Sequence, residues 1–398
     1  MPQNIKPFKG THYNPLKINN FNNVVCPPYD VINNSELKSL RKKSAFNFSH
    51  VLLADKSNYQ SKRKTLDSWV AKKVLVDDLN ECLYLYEQKY RVNGKKITRY
   101  GIISLLRMNK KGIFPHERTH KAPKEDRKKI IKALEANLSP IFVIASSKVS
   151  ALTKAYKHYS KRKPFVCCDD KDKNLNRIWK VEDKKYLNSL CKEFNNSKLL
   201  IADGHHRFEI SYDYFNKHKS KFKDLNYLMA YITDCQKGLL ILPTHRILTI
   251  KDSEAELFKK LSKYFSIKLI SKKLLASKLT KAKTFTLGLY RAGKLFCLEL
   301  KDKDILLKIS NKYYRKIDAY VFHSLVLSLF KVDKPIEYTH SIDEAIELSG
   351  NKKTAFLLGA ANLDSVIDIS SKGFKLPQKS TYFYPKLLSG LVIRRFSK

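Results

Sequence analysis

The chain has 398 residues, of which 43% are hydrophobic, 11% aromatic and 29% charged. That composition excludes a disordered or collagen-like chain and is long enough for two or three packed units. The formal net charge is +41, a field that draws in anions such as nucleotides.

In chain order, the opening is loop-rich around "NNFNNVVCPPYDVINNSELKSL", where Pro27-Pro28 forces extended backbone. Asn34 or Ser35 caps a helix running through Leu40. "SKRKTLDSWVAKKVLV" (61–76) reads as an amphipathic helix. "CLYLYEQKYRVNG" and "KKITRYGIISLLRMN" flank Asn93-Gly94, the strongest hairpin signal in the chain. After the polar loop "FPHERTHKAPKED", a helix is expected from about Glu125 to Asn137. "PIFVIAS" (140–146) is a buried strand by length and composition. A helix near 148–160 leads to a lysine-rich loop at 161–174, then strand "NRIWKVED" and helix "KKYLNSLCKEFNN". The apolar strand "KLLIAD" leads into the helix "HRFEISYDYFNKHK". Two more strands follow, "LNYLMAYITDC" and "GLLILPTHRILTI". Beyond about 250, helices and strands alternate to a Pro-punctuated tail. The expected division is a loop-rich and hairpin region at 1–100, a core at 101–250 and a C-terminal α/β domain at 251–398.

Seven cysteines without a C-x-x-C pair argue against zinc ribbons and a disulfide framework. The N-terminus lacks an apolar signal core, and no run approaches a spanning helix. A soluble, cytoplasmic protein with reduced thiols and no membrane partner is expected. Lysine greatly outnumbers arginine and is spread along the whole chain. That pattern fits AT-rich coding better than a localised nucleic-acid face.

The chemistry concentrates at "IADGHHRF". A strand ends on Asp203, Gly204 permits a positive φ, and a helix starts near His205. The free N–H groups of a first helical turn favour an anion, and Arg207 adds a bidentate phosphate contact. His205 and His206 can donate to phosphate oxygens. Asp203 can cap the helix, hold a histidine tautomer or orient Mg²⁺. Adjacent histidines are poorly spaced for zinc. The chain has no Walker loop, dinucleotide fingerprint, H-E-x-x-H or nucleophile elbow.

At this motif the chain resembles the SerK-like free serine kinases, which have a ParB/sulfiredoxin-like fold. It looks closer still to a large family of about 400 residues, catalogued as a domain of unknown function and grouped with those kinases. "CPPYDVI" (26–32), "LPTHRIL" (242–248) and "LPQKSTYFYPKLLSGLV" (376–392) match that larger family. "FPHERT" (114–119) is similar to the kinases' Pro-His-Glu element. The middle segment is longer here than in the kinases, and Phe208 stands where they have tryptophan.

The resemblance implies a mixed α/β (α+β) fold, with a ParB/sulfiredoxin-like core of mixed sheet and flanking helices. It implies phosphoryl transfer from ADP or ATP, with Mg²⁺, to the hydroxyl of L-serine, giving O-phosphoserine. Glu117, Asp203 and His206 would be catalytic. Gly204, His205, His206 and Arg207 would hold nucleotide phosphate. Lys379, Ser380, Thr381, Asp30 and His116 would contact substrate, and Asp203 would be the metal ligand. A ParB-like nucleotide-dependent DNA-binding or regulatory protein is the alternative, as is a non-catalytic amino-acid or nucleotide sensor. The missing Arg-rich recognition helix disfavours the nucleic-acid partner.

Overall fold

The computed structural model describes residues 4–54, 58–92, 94–109, 113–115, 121–235, 238–282, 284–332 and 334–397. The chain is mixed α/β and forms two compact units. The first takes the chain up to Pro115, on to Leu239, and again from Pro385; the second takes Leu240–Tyr384. Leu83–Val92 and Lys95–Arg107 pair with each other within the first unit, so the division does not fall near residue 100. The tail does not stay with the preceding α/β region but returns to the first unit.

The first unit is built on a nine-stranded mixed sheet. Its central hairpin pairs Leu83–Val92 with Lys95–Arg107, turning at Gly94 with a φ of 78°. Leu83–Val92 continues outward to Leu175–Val181 and Val166–Asp169, both antiparallel. On the other side, Lys95–Arg107 pairs antiparallel with Tyr227–Asp234, which runs parallel to Ile141–Ala145. Ile141–Ala145 in turn pairs antiparallel with Leu199–Asp203. The core gathers Leu83, Leu85, Ile102, Val143, Ile201 and Ile232 from these strands. Near-continuous apolar runs such as "IFVIA" and "LLIA" are what a strand buried on both faces requires.

Helices cover the sheet with apolar faces at helical spacing. In Ser150–Tyr159, Ala151, Leu152, Ala155 and Tyr159 are buried. In Lys184–Asn195, capped by the Asp183 side chain on Lys185 N, Leu190, Cys191 and Phe194 are buried. Two expectations change. The 161–174 loop contains the strand Val166–Asp169, whose alternating buried and exposed residues mark an edge strand. The helix expected to reach Asn137 spans Lys121–Leu134, and Ala136–Asn137 is a short strand instead.

The second unit has a six-stranded sheet whose neighbouring strands all pair antiparallel. Its helix Glu254–Leu261 opens on a reciprocal capping box between Ser253 and Glu256.

The returning tail is stitched into the first unit by short backbone pairings. Cys26 pairs with Ser389, Thr11 with Ile393, and Arg394–Arg395 with Ala136–Asn137. Leu388, Leu391, Val392 and Ile393 are buried there. The guanidinium of Arg394 donates to the carbonyls of Tyr227 and Asp224. Ile393→Asp would bury a carboxylate at a 1% exposed position. Thermal unfolding should show a loss of about 3 kcal/mol or more, or failure to fold; an unchanged melting temperature would refute this packing role.

Candidate functional site

The strand Leu199–Asp203 is apolar up to its last residue because it lies inside the sheet. Its register shifts between Ile201 and Asp203, so Asp203 emerges beside Phe142 with its carboxylate half-buried. Gly204 then turns the chain, with a φ of 91°. A Cβ at Gly204 would stand 2.8 Å from Ile141 Cγ2 and 3.1 Å from the Arg207 guanidinium carbon. Both the left-handed backbone and the close approach of Arg207 therefore call for glycine.

The helix His205–Lys217 starts at this turn with no side-chain cap. His205 and Phe208 face inward and are buried, while His206 and Arg207 are half-buried. A helix start of this kind presents partial positive charge from its first amides. Arg207 reaches back, donating from Nη2 to Asp203 Oδ2 at 2.8 Å and from Nη1 to the Pro140 carbonyl.

The other oxygen of Asp203 accepts from Lys386 Nζ at 2.6 Å, across 183 residues of sequence. Lys386 sits on the returning tail. Gln88 Nε2 donates to its carbonyl at 3.1 Å, and buried Arg99 donates to the Pro385 carbonyl. Ser139 and Ser389 share a hydroxyl contact of 2.7 Å beside it. Burial alone would raise the Asp203 carboxyl. Lys386 and Arg207 outweigh that and hold it well below the usual carboxylate range. The three side chains carry one carboxylate against two cations, a surplus of one positive charge at a helix start.

Tyr29 belongs to the turn Tyr29–Val31 that follows Pro27-Pro28. The Arg127 guanidinium lies 4.3 Å from its ring centre. Burial, with Asp30 adding to it, pushes the phenol up to about 12, so it stays protonated. Tyr29 also feels the charges of Arg207, Arg127 and Asp203.

Of the residues singled out from the sequence, Asp203, Gly204, His205, His206 and Arg207 form this strand-to-helix turn. Asp30 is exposed on the Tyr29–Val31 turn. His116 and Glu117 lie outside the described residues. Lys379, Ser380 and Thr381 lie in the second unit. There the Lys379 carbonyl accepts from Arg246 Nη2 at 3.2 Å, and buried Ser380 donates to the Pro377 carbonyl at 2.6 Å. His245 and Arg246, within the "LPTHRIL" segment, are fully buried. Burial, with His340 and Arg246 nearby, pushes the His245 ring down to about 3.

Sequence reasoning did not assign Lys386 or Arg127. Lys386 had a signal, since "YPK" falls inside the tail segment that carries the resemblance. Arg127 had none, being one cation among many in "KEDRKK". The described residues do not suit a resident Mg²⁺. Both Asp203 oxygens already meet cations, and no group of three or more His, Cys, Asp or Glu side chains gathers among the described residues. No described helix is long and apolar enough to cross a membrane.

The model of a family described as a protein of unknown function (DUF1015) matches residues 5–320. This agrees with the resemblance to an uncharacterised family. No curated protein matches the chain. Among solved structures, a mutant free serine kinase in complex with ADP is 13% identical, with a TM-score of 0.36 over 71% of this chain and 87% of that one. A conserved hypothetical protein from Pyrococcus furiosus is 14% identical, with a TM-score of 0.35 over 72% and 92%. SbnI from Staphylococcus aureus, truncated at its C-terminus, is 10% identical, with a TM-score of 0.37 over 72% and 85%.

Two outcomes follow from this geometry. Gly204→Ala should cost about 1–2 kcal/mol from its left-handed backbone alone, plus the cost of displacing Ile141. Chemical denaturation would measure it, and a neutral substitution would refute the strain. The Asp203 carboxyl is lower in the folded state than unfolded, so its contribution is complete above about pH 5 and is lost as acid protonates it. Melting curves of Asp203→Asn should therefore fall less steeply than wild type between about pH 5 and 3. Parallel acid limbs would contradict the clamp.

Proposed function

Because the chain belongs to the DUF1015 family, whose function is unknown, we propose its activity from the site itself: phosphoryl transfer from ADP or ATP to the hydroxyl of L-serine. The observation that carries this reading is the glycine-led helix start whose Asp203 is held between Arg207 and Lys386. Phosphoryl transfer demands alignment and charge stabilisation more than covalent chemistry by the protein. A helix start with one surplus positive charge, set on the end of a rigid sheet, meets both demands.

In this reading Arg207, Lys386 and the first-turn amides receive the nucleotide phosphates, with half-buried His206 as a further donor; His205, expected to join them, faces inward and is buried, and does not. Asp203 fixes both cations in place. Any Mg²⁺ enters with the nucleotide. Glu117, carried from the kinase-like Pro-His-Glu element, accepts the proton of the serine hydroxyl. The serine oxygen bonds to the terminal phosphorus as the bond to the bridging oxygen breaks. The products are O-phosphoserine and AMP, or ADP when ATP is the donor.

The test is formation of O-phosphoserine from serine with each nucleotide. Asp203→Asn should lower turnover by about 100-fold or more. Glu117→Gln should lose turnover and keep nucleotide binding. If wild type phosphorylates no free amino acid with either nucleotide, the proposal fails.

A further inference from the structure

Arg207 also lines a second feature, a cavity of about 60 Å³ in the first unit. Tyr29, Arg127, Asn137, Ser139 and Ser211 supply its other polar lining, and the Asn137 oxygen already accepts from Met229 N at 3.3 Å. That volume holds about four to six water-sized groups, too few for a nucleotide. Two guanidiniums on so small a cavity are unusual, because each buried cation needs a counter-charge. Arg127 is 7% exposed and has Asp126, whose own side chain is 44% exposed. Arg207 has Asp203, which it shares with Lys386. Three cations thus stand against two carboxylates. The buried Arg207 Nε–H also has no protein acceptor among the described residues.

The rest of the wall identifies the class of anion. Ile130, Ile210 and Leu228 give the cavity aliphatic sides. Such sides cannot solvate the outer oxygens of a tetrahedral phosphate, but they suit a short carbon stem. The Arg127 fork already meets exposed Asp126, so what remains is single N–H donors, such as Arg207 Nε, and a carboxylate, with only two oxygens, asks for no more. We propose that this cavity binds the carboxylate of a small organic acid, an amino acid or a hydroxy acid, through Arg127 and Arg207. Tyr29 stands by as a neutral donor, since burial keeps its phenol protonated near pH 7. Only the choice of serine as a probe rests on the phosphotransfer reading.

Calorimetric titration of the full chain, without nucleotide, tests this with four probes: L-serine, D-glycerate, serinamide and inorganic phosphate. Serine and glycerate should bind, and serinamide, whose carboxylate is neutralised, should bind at least about tenfold more weakly. Arg127→Gln should weaken serine binding at least about tenfold while leaving ADP binding unchanged. Arg127 also holds the Leu52 carbonyl at 2.9 Å, so a second variant is needed. Ser211→Leu fills the cavity, keeps every guanidinium, and should block serine to the same extent; its melting curve reports folding.

Wild-type serine affinity in both variants would overturn the proposal. So would binding of phosphate in preference to the carboxylates, or no binding of either acid. The two readings fail separately. Carboxylate binding that is lost in Arg127→Gln, without any O-phosphoserine formation, removes only the kinase. Serine turnover with unaltered serine affinity in both Arg127→Gln and Ser211→Leu removes only the carboxylate site.

Discussion

A carboxylate at the end of a buried strand is expensive unless charge and hydrogen bonds meet it. At Asp203 they come from opposite directions. Arg207 lies one helical turn ahead, and Lys386 arrives from the tail, each taking one oxygen. The local partner needs only the left-handed glycine between strand and helix. The distant partner depends on tertiary pairing, because Lys386 is carried on a tail that pairs with the Cys26, Thr11 and Ala136–Asn137 backbones. The clamp thus ties the order of the candidate site to the closure of the fold.

The tail is held on the sheet side by a polar network in the central hairpin and its neighbour. Arg99, fully buried, donates to Gln88 and to the Pro385 carbonyl, and its guanidinium lies 4.8 Å from the Phe142 ring centre. Gln88 bonds Asn176 at 3.0 Å and the Lys386 carbonyl at 3.1 Å; Tyr86 adds a 2.6 Å bond to Asn176. A network of this kind is costly when broken and specific when complete. It explains why an apolar strand pair carries Tyr86, Gln88 and Arg99 at its centre. Those polar residues hold a loop in place. They also give Lys386 a fixed backbone, which a charge that must meet a phosphate needs.

Secondary structure was largely legible because the signals were local. Gly94 between alternating strands marked the hairpin, apolar runs marked the buried strands, and Asp-Gly before a polar helical turn marked the anion-favouring helix start. Errors arose where local preference met tertiary pairing. The lysine-rich 161–174 stretch looks like a loop by composition, yet Val166–Asp169 pairs with Leu175–Val181 and its polar residues face outward. The end of "KALEAN" keeps helical composition, but Ala136–Asn137 pairs with Arg394–Arg395.

What the sequence determined by itself is the Asp203–Arg207 turn, because glycine's backbone freedom and the strand-to-helix switch act over a few residues. It also carried the family, through short motifs kept in order along the chain. Only the tertiary structure selected Lys386 from the 78 lysines and arginines of the chain, and only it put Arg127 against Tyr29 on a cavity shared with Arg207. The reason is physical. A cation's partner is set by where a distant segment closes on the sheet, and composition that repeats lysine everywhere cannot say which one arrives.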